Sequence, residues 1–142
     1  MTQRTLAIIK PDAVSKGCMG EVIRCIEEGD LRIVAMKMLW MSKAEVEGFY
    51  AVHRGKHFFE SLTTFMSSGS CVVMALEGPD AIDRWRQMMG LTDPKKAAPE
   101  TIRARWGSNI ERNAVHGSDA PETAAFELHY FFSQMEMLGS QG

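Results

Sequence analysis

Cys71-Val72-Val73-Met74-Ala75-Leu76 is a continuous apolar run bounded by Gly69 and Gly78. Rich in Val and flanked by glycines, it reads as a strand buried on both faces. Upstream, Thr5-Leu6-Ala7-Ile8-Ile9 is a second β-rich run, closed by Lys10-Pro11. Proline cannot donate to a ladder, so Lys10 is placed at the carboxyl end of that strand. Residues 31–40 alternate Ile33, Ala35, Lys37 and Leu39 with Val34, Met36, Met38 and Trp40 and read as a third strand. Ala114-Val115-His116 is a brief fourth.

Helical patterns fill the intervals. Val22, Ile23 and Ile26 recur at helical spacing before a stop at Gly29-Asp30. Ser42 with Glu45 predicts a capping box for a helix over 43–52, and a further helix runs over 57–66 to Ser67-Ser68-Gly69. Pro79 is read as opening a helix with an inner stripe of Ile82, Trp85 and Met89. Asp119 and Glu122 are spaced as a capping box for the last helix, whose buried face is Ala124, Leu128 and Phe131. Between 90 and 113 the periodicity fades, with one helical turn around 100–104, and a loop that long is either functional or misassigned. The order β-α-β-α-α-β-α-loop-β-α contains a ferredoxin-like βαββαβ unit: a four-stranded antiparallel sheet covered by helices. No linker or repeat divides residues 1–142, so one domain is expected.

Composition narrows the function classes. The 142 residues are 45% hydrophobic and 24% charged, with net charge −2. Nothing in that balance demands nucleic acid or an acidic membrane, so an anion site must be a local arrangement of Lys and Arg. The longest apolar runs are about six residues, against the ~20 needed to span a bilayer. Cys18, Cys25 and Cys71 lack a CxxC spacing and sit beside apolar residues. They read as reduced thiols, which together with the absence of a signal-like start predicts a cytoplasmic protein.

Three local features carry chemistry. Asn113-Ala114-Val115-His116-Gly117-Ser118-Asp119 places a histidine before a helix start, with a glycine permitting close approach of a ligand. Glu127, farther along that helix, is positioned to bond one ring nitrogen and fix the tautomer of the other. An imidazole so held is a nucleophile near neutral pH. A partly buried histidine beside a helix cap explains the local pattern as well, and on that pattern alone is the favoured reading. Lys10, Arg86, Arg103 and Arg112 are candidates for phosphate oxygens, although each alone reads as a solvated surface charge. In Phe58-Phe59 one ring is expected in the core and the other exposed enough to stack on a base. There is no Walker-type loop and no protein-kinase motif set. His53 and His57 stand four apart, but Gly55 separates them and no third metal ligand is apparent.

Together these segments resemble the nucleoside diphosphate kinase family from residue 5 to residue 132. The matching stretches are Thr-Leu-Ala-Ile-Ile-Lys-Pro-Asp-Ala-Val at 5–14, Gly-Phe-Tyr-Ala-Val-His at 48–53 and Phe-Phe at 58–59. They continue with Gly-Leu-Thr-Asp-Pro at 90–94, Thr-Ile-Arg at 101–103 and Arg-Asn-Ala-Val-His-Gly-Ser-Asp at 112–119. The resemblance reverses the local reading of His116. It implies phosphorylation at His116 Nδ1, with Glu127 orienting the ring and Ser118 bonding that carboxylate. It places Lys10 and Tyr50 beside the transferring phosphoryl, and Lys10 with Asn113 at the ribose 3′-hydroxyl. Arg86, Thr92 and Arg103 would bind the distal phosphates, Phe58 would stack on the base and Leu62 would line its slot. The implied partners are ATP and other nucleoside di- and triphosphates, with Mg²⁺ held by the phosphates rather than by side chains. A homo-oligomer is implied too, a tetramer in the first place with a hexamer or dimer as the alternatives, with no membrane and no obligatory nucleic acid. Val52, His57, Ser70, Glu100 and Arg105 depart from the usual family pattern. The rival from another class is a nucleotide- or RNA-binding ferredoxin-like module, but 5–9 and 71–76 carry none of the aromatics such modules display on central strands.

Overall fold

The Val-rich run becomes β3 (Cys71–Pro79), and its neighbour is the other apolar run, β1 (Thr2–Ile9). The computed structural model describes residues 2–139. β1 and β3 are the two central strands of an antiparallel sheet in the order β2-β3-β1-β4, with β2 (Arg32–Leu39) and β4 (Val115–Gly117) at its edges. Helices α1 (Pro11–Ser15), α2 (Met19–Glu28), α3 (Lys43–Phe49), α4 (Phe59–Met66), α5 (Ala81–Met89), α6 (Ile102–Trp106) and α7 (Pro121–Phe131) follow in chain order. This is the ferredoxin-like arrangement expected from the order of elements.

Period-two geometry sends alternate residues of a strand to opposite faces, and both faces here are covered. Ala7, Ile9, Val72, Met74 and Leu76 pack with Val22 and Ile26 of α2 and Trp85 and Met89 of α5. Leu6, Ile8, Val73 and Ala75 pack with Val46 and Phe49 of α3, Phe65 and Met66 of α4, and Leu128 and Phe131 of α7. The site is built on this second face. Edge strand β2 is shifted in register between Ile33 and Ala35. Beyond that irregularity Met36, Met38 and Trp40 form an exposed row, Trp40 at 69%.

Several local expectations are corrected. Pro79 ends β3 opposite Thr2 instead of opening a helix, and Asp80 at φ 48° turns the chain into α5. A strand end tolerates proline because no further ladder donor is needed there. Residues 11–15, not expected to be helical, form α1 with Pro11 in its first turn, where a missing N–H costs nothing. The predicted helix over 43–52 ends as α3 at Phe49, and Ala51–His53 form a short 3₁₀ turn. The capping box of Ser42 and Glu45 is present in full. That of Asp119 and Glu122 is not: Thr123 Oγ1 takes the amide hydrogens of Asp119 and Ala120 and donates to Asp119 Oδ1. The hydroxyl does both jobs, so no glutamate is needed. Cys18 and Cys71 are buried, Cys25 is half-buried, and all three are free.

Candidate active site

β4 is only three residues long, yet it sets the site. Its pairing with β1 puts His116 opposite Ile8, on the face covered by α3 and α7. Phe49 meets the imidazole edge-on at 5.4 Å and Tyr50 at 6.0 Å. His116 Nε2 lies 2.9 Å from Glu127 Oε1, which α7 brings across from eleven residues on. Ser118 Oγ donates to the same oxygen at 2.8 Å, and Ser118 is tied to β1 by its amide bond to Leu6 O. A carboxylate accepts only, so Nε2 carries the ring hydrogen and Nδ1 keeps its lone pair. From behind, Trp85 Nε1 donates to the His116 carbonyl at 3.1 Å.

His116 opens on a cavity of about 350 Å³. Lys10, at the end of β1, lines it and donates to Asn113 Oδ1 at 2.8 Å and to the Glu111 carbonyl at 2.9 Å. Asn113 Nδ2 in turn donates to Thr92 O at 3.0 Å. Lys10, Asn113 and Thr92 therefore stitch the long 90–113 stretch to the sheet. Tyr50, at the end of α3, lines the same cavity, as do Phe58, Leu62 and Ile110. Phe58 and Phe59 are both half-buried. Phe58 faces the cavity and rests edge-on against His53 at 5.3 Å, while Phe59 packs on the core.

Arg86, Thr92 and Arg103 line an adjoining hollow of about 630 Å³, and Thr92 borders both. Arg86 is exposed on α5. Arg103 is buried on α6 and donates to Gly90 O at 3.1 Å and Val115 O at 2.9 Å, while its buried Nε has no hydrogen-bond partner. Burial, with Arg86 alongside, pulls the Arg103 guanidinium down to about 10. Burial and then the Arg103 charge lower Lys10 to about 8, against the opposing pull of Asp12 and Glu111. Burial and the Glu127 charge raise the Tyr50 phenol, so it stays protonated. Three buried or clustered cations in a small space are costly without an anion between them.

Lys10, Tyr50, Phe58, Leu62, Thr92, Asn113 and His116 line one hollow and Arg86, Thr92 and Arg103 the adjoining one, while Glu127 and Ser118 stand behind the imidazole. Arg112, read as adjoining His116, is turned away: it lies over the Phe65 ring at 4.6 Å and lines a different hollow with Asp12 and Lys16. Gly117 was read as room for a ligand, yet a Cβ there would meet Trp85 Cδ1 at 2.6 Å, so the glycine serves packing against α5. The sequence reading missed Ile110 and Glu111 as cavity residues. A lone isoleucine between Ser108-Asn109 and Glu111-Arg112 was the available signal. Among the described residues no group of three His, Cys, Asp or Glu is placed to hold a metal ion. No helix among them is long and apolar enough to cross a membrane.

Comparison with known proteins agrees with this geometry. The family model for nucleoside diphosphate kinase matches residues 3–137. The nucleoside diphosphate kinase of Desulfosudis oleivorans is 61% identical over 96% of this chain and 99% of its own. That of Desulfovibrio desulfuricans is 57% identical, with the same coverage. Among solved structures, the Aquifex aeolicus nucleoside diphosphate kinase superposes with a TM-score of 0.93 at 44% identity, covering 97% of this chain and all of that one. The Halobacterium salinarum nucleoside diphosphate kinase in complex with CDP gives 0.95 at 34% identity, covering 100% of this chain and 95% of that one.

The buried lysine makes a thermodynamic prediction. Its folded-state pKa of about 8 lies below the ordinary 10.5, so between those values the unfolded chain binds more protons and stability rises with pH. The charge penalty is present in full below about pH 8. Lys10→Met should therefore raise stability at pH 7, by roughly 1–3 kcal/mol, and abolish the rise toward pH 10. Urea midpoints at pH 7 and 9.5 check this; a destabilised Lys10→Met with the wild-type pH slope would contradict it.

Proposed function

The chain belongs to the nucleoside diphosphate kinase family, and we propose that His116 is the residue through which it moves the phosphoryl group. The observation that carries this is the 2.9 Å contact of His116 Nε2 with Glu127, which leaves Nδ1 as the nucleophilic nitrogen of a ring lining the cavity. In the first half-reaction Nδ1 attacks the γ-phosphorus of a nucleoside triphosphate such as ATP. The bond from that phosphorus to the β–γ bridging oxygen breaks and the diphosphate leaves. A second nucleoside diphosphate enters the same cavity, its terminal phosphate oxygen attacks phosphohistidine, and the N–P bond breaks. Ping-pong exchange among nucleoside triphosphates and their deoxy forms results.

Each neighbour then has a physical task. Glu127 balances the positive charge that develops on the ring as Nδ1 attacks, and Ser118 holds Glu127 in place. Lys10, Arg86 and Arg103 stabilise charge on the non-bridging oxygens, where phosphoryl transfer gains most. Tyr50, protonated, offers a hydroxyl beside the reacting phosphoryl. Lys10 and Asn113 meet the ribose 3′-hydroxyl, Thr92 meets a distal phosphate, and Phe58 and Leu62 give the base an apolar resting surface. The CDP bound by the halobacterial relative is a ligand of the class this cavity is read to take. Mg²⁺ would arrive on the β- and γ-phosphates and neutralise part of their charge, which suits a site whose own side chains are chiefly cationic. The thiols point to a reducing compartment, the cytoplasm. The whole of 1–142 works as a single domain.

The assembly is read from β2. Among the described residues its outer edge has no partner strand beside Met36, Met38 and Leu39, and Met36, Met38 and Trp40 are exposed next to it. An apolar edge of this kind is covered in a homo-oligomer, most economically by a second copy; two such pairs would give the tetramer.

Three measurements test these assignments. Incubated with γ-labelled ATP and no acceptor, the wild type should take up acid-labile, alkali-stable label that is discharged onto GDP or dCDP, whereas His116→Ala should take up none. Label persisting in the variant would remove His116 from the mechanism. Phe58→Ala should raise KM by about tenfold, or roughly 1–2 kcal/mol, for all bases alike; a loss confined to one base would mean edge recognition instead of stacking. Met38→Glu should lower the sedimentation mass relative to wild type, and an unchanged mass would place the interface elsewhere.

A further inference from the structure

We propose that Asp12 is a positioning residue for this reaction: its carboxylate clamps a strained turn at Ala114 and thereby sets where Asn113 and His116 stand. The proposal rests on the phosphoryl-transfer reading above and adds a residue that reading does not use.

The chain enters β4 through an awkward conformation. Ala114 has φ +74° and is fully buried, and Val115 N bonds back to Asn113 O at 2.9 Å across it. A three-residue turn closed in that way with positive φ is the strained form of the γ-turn, and alanine lacks the freedom that would make it easy for glycine. Such a conformation persists only where surrounding contacts over-determine it. Those contacts come from one short segment. Lys10 N donates to Ala114 O at 2.8 Å, and Ala114 N donates to Asp12 Oδ2 at 3.0 Å. Both polar groups of the strained residue are thus held by the segment 10–12, and Pro11 between the two clamps keeps their spacing rigid.

Asp12 is itself only 8% exposed, and its Oδ1 is buried without a hydrogen-bond partner. A buried carboxylate with one idle oxygen is costly, so its placement here calls for a role beyond packing. Its charge supplies a second effect. Lys10 faces Arg103 from α6, Asp12 from α1 and Glu111 from the long loop, and its ammonium is bonded to Asn113 Oδ1 and Glu111 O. Arg103 and burial push the proton off, while Asp12 and Glu111 hold it on. One side chain therefore fixes the geometry of the Asn113–His116 segment and helps keep Lys10 cationic.

The two effects separate in two substitutions. Asp12→Ala removes the acceptor and the charge; Asp12→Asn keeps an acceptor for Ala114 N and removes only the charge. We measure single-turnover labelling of His116 from γ-labelled ATP and steady-state kcat and KM as functions of pH, with circular dichroism as the check on folding. Asp12→Ala should slow labelling by roughly 10- to 100-fold, with KM changed less than about threefold. Asp12→Asn should recover most of that rate at pH 7, and its alkaline decline should begin at lower pH than in wild type, because Lys10 gives up its proton sooner. A folded Asp12→Ala that labels within about twofold of wild type would overturn the proposal, as would an Asp12→Asn that loses as much labelling rate at pH 7 although it keeps the acceptor; an unmoved alkaline limb in Asp12→Asn would overturn the charge effect on Lys10. If Asp12→Ala does not fold, Asp12→Ser, whose shorter side chain does not reach Ala114 N, takes its place with the same outcomes. A wild type that takes up no label fails the phosphoryl-transfer reading first and the role of Asp12 with it; label on wild type and variants alike fails Asp12 only.

Discussion

The pairing of β4 with β1 is the constraint from which the rest of this molecule follows. β1 is buried on both sides and anchored by its full-length antiparallel partner β3, so it is the least movable part of the sheet. Three residues laid against it, with His116 opposite Ile8, place a polar ring at the edge of a core it could not enter. On one side of that edge the backbone is fixed by Trp85. On the other, Glu127 and Ser118 fix the side chain. A nucleophile that must be aligned to within a fraction of an ångström is thus referenced to the most rigid element available.

Electrostatics explain why the site is half-assembled before any nucleotide arrives. Lys10 and Arg103 are both buried and both shifted toward their neutral forms. Their hydrogen bonds run mostly to carbonyl oxygens and an amide, which hold a cation without neutralising it. The protein retains concentrated positive charge near His116 at a cost in stability.

Much of the fold was legible because it depends on local signals. The two apolar runs at 5–9 and 71–76 had no alternative to burial, and the helix stripe of Ile82, Trp85 and Met89 had only one face that could be apolar. Where the reading erred, two local solutions were equally good and the three-dimensional surroundings chose between them. Pro79 is as acceptable at the end of a strand as at the start of a helix, and pairing with Thr2 decided for the strand. Thr123 displaced Glu122 as the cap of α7 because its hydroxyl both accepts and donates. Gly117 gave space to Trp85, and Arg112 found an aromatic face on α4; neither partner is near in sequence.

The sequence by itself determined the order of the strands and of the helices between them, α1 excepted, which apolar stretches are buried and, through the Asn-x-x-His-Gly-Ser-Asp and Lys-Pro-Asp segments, the family and its candidate residues. Those properties follow from residue type and short spacing, on which local physics acts directly. Only the tertiary structure decided which nitrogen of His116 is free, that Lys10, Asn113 and Thr92 form one chain of hydrogen bonds, and that Asp12 and Lys10 together hold the strained turn at Ala114. These depend on contacts across as many as 104 residues of chain, from Lys10 to Ala114, where direction and distance come from packing, and packing is a property of the whole core.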